Sequence, residues 1–376
     1  MKMSGLSFKD KLRHIDPILF CATAVLSLIS IITIFGAVEN FGRSKLIMQI
    51  AMTVAGAVVL FVIANIDYRF FIDRFAIVMF LGSVLILALT LLFGTTGENM
   101  ETANRSWIKI PILNIGIQPS EFVKIAFLCT FSKHIELVRG KINHPKSLIG
   151  LGLHAGLIVG LILISGDLGV ALIYIGIVAF MLYFGGLSGW YFLGAITLIA
   201  IAFPFLWPFL REDQRNRIIY GFQPHLSPDE YGMQALLSRD TIASGGFFGK
   251  GLMSGGFYED LPASHTDFIF ATVCEKLGFI GGFLIIAALF VMVIRLIYIA
   301  FTSRDFVGKL ICGGIAAMIV LQTAENLLMC FAVVPVIGIT LPFVSCGGSS
   351  VLALYFLLGL AHSVYAHERR FYFKMN

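Results

Sequence analysis

The chain has 376 residues, of which 58% are apolar and 13% charged, about half the charged share of an ordinary soluble domain. No globule of this length has enough interior to hide that much apolar side chain, so the excess faces lipid. A soluble enzyme, a nucleic-acid binder and a disordered chain are thereby excluded, and the net charge of +5 is best read by position along the chain.

A membrane-spanning helix needs about 20 apolar residues, and charge-free runs mark where these fall. The basic N-terminus, with Lys2, Lys9, Lys11 and Arg13, precedes a run at 17–38. Asp16-Pro17 opens that run with a capping side chain and a proline suited to the first helical turn. It has the length to span and lacks a small-residue cleavage site, so it reads as a retained first helix and not a signal peptide. Further runs cover 46–66, 75–97 and 147–166, with a weaker one at 118–135 that carries Glu121, Lys124 and Lys133. The stretch 168–210 holds two spans around the turn Gly185-Gly186-Leu187-Ser188-Gly189, and others lie at 277–294, 310–333 and 343–366. The expected fold is an all-α polytopic membrane protein of about ten transmembrane helices, a single membrane domain over 1–376. The six cysteines, Cys21, Cys129, Cys274, Cys312, Cys330 and Cys346, form no C-x-x-C pair and read as small apolar fillers, not as disulfides or metal ligands.

Lys and Arg in the short loops set orientation. With the N-terminus inside, the inner side collects Arg69, Arg74, Lys133, Arg139, Lys141, Lys146, Arg295, Arg304, Lys309, Arg369, Arg370 and Lys374 besides the N-terminal four; the short outer loops hold only Arg43, Lys45, Arg105 and Lys109. Both termini are therefore expected in the cytoplasm. The segment 211–267, rich in Gly, Ser, Asp and Arg, becomes a long extracytoplasmic loop between the seventh and eighth spans; a loop of that length is functional or disordered.

Charges at membrane depth raise a functional hypothesis by default, and four stretches stand out. Asn104-Arg105-Ser106-Trp107-Ile108-Lys109 precedes Gln118-Pro119-Ser120-Glu121-Phe122-Val123-Lys124, where Glu121 and Lys124 share a helix face. It reads either as a site or as an interfacial anchor with a self-neutralising pair. Gln214-Arg215-Asn216-Arg217 offers guanidinium groups able to fork onto phosphate oxygens, or plain solvated loop charges. Ser244-Gly245-Gly246-Phe247-Phe248-Gly249-Lys250-Gly251 is glycine-rich but fails as a P-loop, because its spacing is short and Gly251 replaces the Ser or Thr that would hold magnesium. Finally, Leu261-Pro262-Ala263-Ser264-His265-Thr266-Asp267-Phe268 leads to Glu275-Lys276. Asp267 sits where the outer loop re-enters the membrane, a place suited to a base; alternatively Thr266 or Asp267 caps the next helix.

These stretches, in this order, with Pro335-Val336-Ile337-Gly338-Ile339-Thr340-Leu341-Pro342-Phe343-Val344-Ser345-Cys346-Gly347-Gly348-Ser349-Ser350 near the end, resemble the SEDS family of bacterial cell-wall proteins from about Asp16 to Tyr365. The resemblance implies a ten-helix peptidoglycan glycosyltransferase of the bacterial cytoplasmic membrane that polymerises lipid II on its outer face. It also implies a class B penicillin-binding protein as partner. Carried over residue by residue, it places the essential carboxylate at Asp267 and other important positions at Trp107, Glu121 and Lys124. The Gln-x-x-x-Asn pattern of the ninth span is met by Gln322 and Asn326. The chain departs from the family pattern at Ser165-Gly166 before Asp167, at Ala263, at Cys346 and at Glu325.

The expected reaction is an inverting transfer from a polyprenyl-diphosphate-linked donor, with Asp267 taking the proton of the acceptor hydroxyl. Arg215, Arg217 and Lys250, with His265 beside the carboxylate, and Arg105, Lys109 and Lys124 from the other side, are the candidates for the substrate and its leaving diphosphate. A divalent cation, Mg2+ or Mn2+, is an option for sharing that charge, although no ligand cluster in the sequence demands one. Two other readings stay open: a flippase for the same lipid-linked precursor, using intramembrane Glu121, Lys124, Asp167 and Glu325, and a non-catalytic scaffold for the penicillin-binding protein. The short tail after the last span tilts the reading towards an elongation-type member over the division and sporulation types.

Overall fold

The structure, a computed structural model, describes residues 15–95, 106–110, 115–209 and 212–375. Its longer helices are α1 (Pro17–Gly36), α2 (Arg43–Ala64), α3 (Tyr68–Phe93), α4 (Pro119–Val138), α5 (Pro145–Ile164), α6 (Leu168–Phe184), α7 (Gly189–Leu206), α8 (Glu212–Phe222), α9 (Met233–Ser244), α10 (Ile269–Thr302), α11 (Phe306–Cys330) and α12 (Gly348–Met375). Among the described residues, seven of these are long and apolar enough to cross a membrane; α6 and α7 are shorter apolar helices, and α4 carries charges. Each predicted span overlaps one helix, the run 168–210 supplying two.

Helix starts follow from the local sequence. The Asp16, Asp67, Asp167 and Asp305 carboxylates accept from the backbone N–H groups of Leu19, Arg69, Val170 and Gly308, which satisfies donors a helix leaves free. Pro17, Pro119 and Pro145 occupy first turns, where a missing N–H does no harm. The centre of the bundle is α11 and α12, with 72% and 83% of their apolar stretches buried against 17% for α2 and α3. At the other extreme, α7 leaves Trp190, Ile196 and Leu198 largely exposed, as expected of a helix facing lipid on most sides.

The all-α class holds, with one small two-stranded pairing added: Ile108–Ile110 (β1) pairs antiparallel with Ile115–Ile117 (β2), and Thr95 bridges to Trp107. Some boundaries differ from expectation. The last helix starts at Gly348, not at 343, because Leu341–Cys346 is tied into the site described below. Of the two expectations for the long loop, functional or disordered, its described residues 212–267 favour an ordered one, holding α8 and α9. The helix of the eighth span begins at Ile269, ahead of the expected 277, because α10 is two helices joined at a break, where Gly278 has φ 68°.

That break explains the glycine-rich stretch. The N–H groups of Lys250 and Gly251 donate to the Glu275 and Lys276 carbonyls, and the Phe279 N–H donates to Gly246. Backbone groups freed by the break are thus paired with the loop, as a low-dielectric setting demands. The backbones of Gly245 and Gly249 lie so close to Cys274 and Lys276 that a β-carbon would not fit.

At the opposite end of the bundle, charges are matched in a collar. Arg69 contacts Glu136 at 2.7 Å, Asp305 more closely still, and Asp73 at 3.5 Å; Lys133 bonds Asp73 and Glu136 at 2.6 and 2.8 Å. Nearby, buried Asp16 pairs with Arg295 at 2.6 Å, and its N–H donates to His362 Nδ1. The collar joins α3, α4 and the α10–α11 connection.

Candidate functional site

Asp267 is half-buried just before α10, at the end where the long loop returns to the bundle. The helix cap position falls on Phe268, which offers no side-chain bond, and the Thr266 hydroxyl turns back onto the Ala263 carbonyl; Thr266 therefore does not cap α10. The Thr266 and Phe268 N–H groups also converge on that carbonyl, closing a tight turn. Ala263 itself adopts φ 53°, an arrangement uncommon for a residue with a β-carbon.

The turn is held by the Pro335–Ser350 segment. Asn326 Nδ2, fully buried on α11, donates to the Asp267 carbonyl at 2.6 Å and to the Ile339 carbonyl at 2.7 Å. Ser345 Oγ donates to the Thr266 carbonyl and accepts from the Leu341 N–H, both at 2.7 Å. The Cys346 N–H donates to the His265 carbonyl at 2.9 Å. Gly338, at φ +72°, lies against the acid itself: a β-carbon there would stand 3.3 Å from Asp267 Oδ2. Phe343 also has a positive φ, 63°; such local strain, about 1–3 kcal/mol per residue, persists only where the surroundings over-determine the backbone.

The same segment is a hub for five helices. Ser30 Oγ of α1 donates to the Val344 carbonyl. From α2, the Lys45 carbonyl accepts from Cys346 Sγ at 4.0 Å. The Gln118 N–H, which opens α4, donates to Ser349 Oγ at 3.2 Å. Gly169 of α6 lies against the Ile337 carbonyl, and Gly221 of α8 against Pro335.

The other predicted site residues divide around this hub. Glu121 and Lys124 form a buried pair at 2.6 Å; Gln118 Nε2 donates to Asp167 Oδ2 at 3.0 Å, and Tyr174 donates to the Ser120 carbonyl. Lys124 is 1% exposed, so its ammonium serves Glu121 and not the outer face. Arg217 is exposed one turn before the Gly221–Pro335 contact, whereas Arg215 Nη2 donates to the Pro208 carbonyl at 2.9 Å. Lys250 is engaged with the buried Glu275 carboxylate at 2.5 Å, which also accepts from Ser244 Oγ and the Phe257 and Tyr258 N–H groups. Lys276 donates to the Gly36, Leu252 and Ser254 carbonyls with its ammonium 4.2 Å from the Tyr258 ring centre. Burial, with Glu259 beside it, pushes the Tyr258 phenol up to about 12, keeping the ring neutral as a cation–π partner. The imidazole of His265 packs 5.4 Å from the Phe41 ring. Trp107 is half-buried against Gly116 of β2, Lys109 is exposed on β1, and Arg105 lies outside the described residues.

Lys45 and Gly338 went unmarked as individual site residues in the sequence. Lys45 counted only as an outer-loop charge, and its one signal was its place at the start of the second span. Among the described residues, no group of three or more His, Cys, Asp and Glu side chains is placed to hold a metal ion, and all six cysteines are free thiols.

Fold and site together define an integral membrane protein in which the half-buried Asp267 stands where a long loop folds back onto the helix bundle. The chain belongs to the FtsW, RodA and SpoVE family of cell cycle proteins, which it matches over residues 13–370. It is 31% identical to the peptidoglycan glycosyltransferase MrdB of Escherichia coli K12 over 372 residues, 96% of each chain. Identity is also 31% to a probable peptidoglycan glycosyltransferase FtsW of Trichlorobacter lovleyi, covering 95% of this chain and 94% of that one. The fold aligns with a chain of a peptidoglycan synthase complex studied for coordination of polymerization and crosslinking, at TM-score 0.81, 26% identity, and 94% and 98% coverage. RodA of Thermus thermophilus aligns at TM-score 0.69, 23% identity, and 93% and 96% coverage.

Proposed function

We propose that this chain is a peptidoglycan glycosyltransferase that polymerises lipid II at the outer face of the bacterial cytoplasmic membrane. The observation that carries the reading is the double clamp of Asn326 on the Asp267 and Ile339 carbonyls, which fixes a half-buried carboxylate at the meeting point of loop and bundle without using its oxygens. Ten crossings with both termini inside put that meeting point outside and the charged collar in the cytoplasm, in keeping with the loop charges.

In the reaction, Asp267 removes the proton of the acceptor sugar hydroxyl as its oxygen attacks the anomeric carbon of the donor. The new C–O bond forms on one face while the bond to the diphosphate breaks on the other, its electron pair leaving with the diphosphate and inverting the centre. Arg217, exposed beside the hub, is the cation we assign to the departing charge. Lys250 and Lys124 are committed to Glu275 and Glu121 and hold the framework. The Gln118–Asp167 and Glu121–Lys124 pairs steady the Ser349 side of the hub. A class B penicillin-binding protein is the partner that cross-links the product, and cell elongation is the role we favour.

The test is polymerisation of labelled lipid II by the purified chain and by Asp267→Asn. Polymer from the parent and none from the variant is expected; polymer at the parental rate from the variant removes the base, and its absence from both removes the polymerase reading.

A further inference from the structure

The glycine-rich stretch ends in a feature that the reaction does not use. Phe247 and Phe248 are 58% and 78% exposed, as are Phe279 and Phe283 at 59% and 57%. The rings are ordered against one another: Phe247 packs on Phe248 at 5.0 Å and stacks on Phe279 at 5.7 Å, and Phe279 stacks on Phe283 at 6.0 Å. Backbone bonds from the Phe279 and Ile280 N–H groups to the Gly246 and Phe247 carbonyls hold the loop to the first turn after the break in α10.

The depth of that turn follows from helix length. From Phe279 to Thr302, α10 extends about 36 Å, slightly more than the ~30 Å hydrocarbon core. Phe279 and Phe283 therefore lie at the outer edge of the acyl region, and the stripe continues down the same helix through exposed Phe290 and Ile294. Phe247 and Phe248 extend this lipid-facing stripe sideways from a loop that has no charge between Ser244 and Gly249. Rings at this boundary are favoured by both halves of their surroundings.

We propose that Phe247 and Phe248 are a membrane anchor: the loop between α9 and α10 inserts its tip among outer-leaflet acyl chains at the headgroup boundary. The anchored stretch bonds the Glu275 and Lys276 carbonyls through its backbone and the Glu275 carboxylate through Lys250. It thereby sets the height above the bilayer of the short helical segment that begins just after Asp267. A lipid-linked substrate arrives at a fixed depth, so the height of the carboxylate matters; the anchor itself stands whether or not the polymerase reading holds.

The test places a fluorophore at the tip. Phe248→Trp in the full chain is reconstituted in phosphatidylethanolamine/phosphatidylglycerol vesicles with doxyl labels at shallow or deep acyl positions, and emission is read as the excess over the parent, whose tryptophans are Trp107, Trp190 and Trp207. Expected is a blue-shifted excess that shallow doxyl removes for the most part, deep doxyl less, and aqueous iodide hardly at all. Quenching by iodide with indifference to doxyl overturns the anchor. In a second measurement, Phe247→Ser with Phe248→Ser should raise hydrogen exchange of the 246–251 amides in the same vesicles; exchange equal to the parent's, in protein that remains folded, also overturns it.

Discussion

At the collar end, Arg69 faces Glu136, Asp305 and Asp73, and Lys133 faces two of the same acids, so side chain answers side chain and several bonds share each load. At the Asp267 end the donors answer backbone instead. Asn326, Ser345 and Lys276 all donate to carbonyls of loop segments. Redundant ion pairs hold an architecture and tolerate loss of one member. A single amide that holds two chain segments does not.

The largest effect expected of any substitution is that of Asp267→Asn, a loss of about 10²–10⁴-fold in polymerisation, the usual worth of a general base. The clamp itself should survive the change, because Asn326 grips the Asp267 carbonyl and not the acid. Next comes Asn326→Leu, which strips the partners from two buried carbonyls at about 1–3 kcal/mol each. It should lower thermal stability in detergent and turnover together, and unchanged turnover would show that the clamp does not position Asp267. Arg217→Gln should raise the lipid II concentration needed for half-maximal rate by about ten-fold, as for one charge-assisted bond to phosphate; an unchanged dependence assigns the diphosphate to other cations. Arg69→Met should cost about 1 kcal/mol, since the guanidinium is 23% exposed and solvent screens part of its attraction. Turnover per folded molecule should not move, and a selective loss of turnover would tie the collar to the site. Smallest is Gly338→Ala, about 1 kcal/mol for a β-carbon at positive φ. Its effect should show in turnover more than in melting because that carbon meets Asp267 Oδ2.

Much of this was legible in the linear chain. Charge-free runs located the helices and Asp16-Pro17 the start of the first, because burial in lipid and helix capping are local requirements. Glu121 and Lys124 were paired on spacing alone, since residues three apart share a helix face. Other features hid because their partners are remote. Lys250 reads as a free cation until Glu275 folds onto it from 25 residues away. The glycine-rich stretch reads as a flexible loop until it meets the break at Gly278. Leu341–Cys346 reads as the start of a span, being apolar, yet folds as a turn under Ser345 and Asn326.

The sequence by itself determined the solvent and the helices, because lipid exposure, helical periodicity and caps depend on neighbours within a few residues. Only the tertiary structure decided which charges are available and which are spent. An ion pair or a backbone clamp forms between segments up to hundreds of residues apart, as between Asp16 and Arg295, and no local pattern encodes which partner the packed bundle will bring within reach.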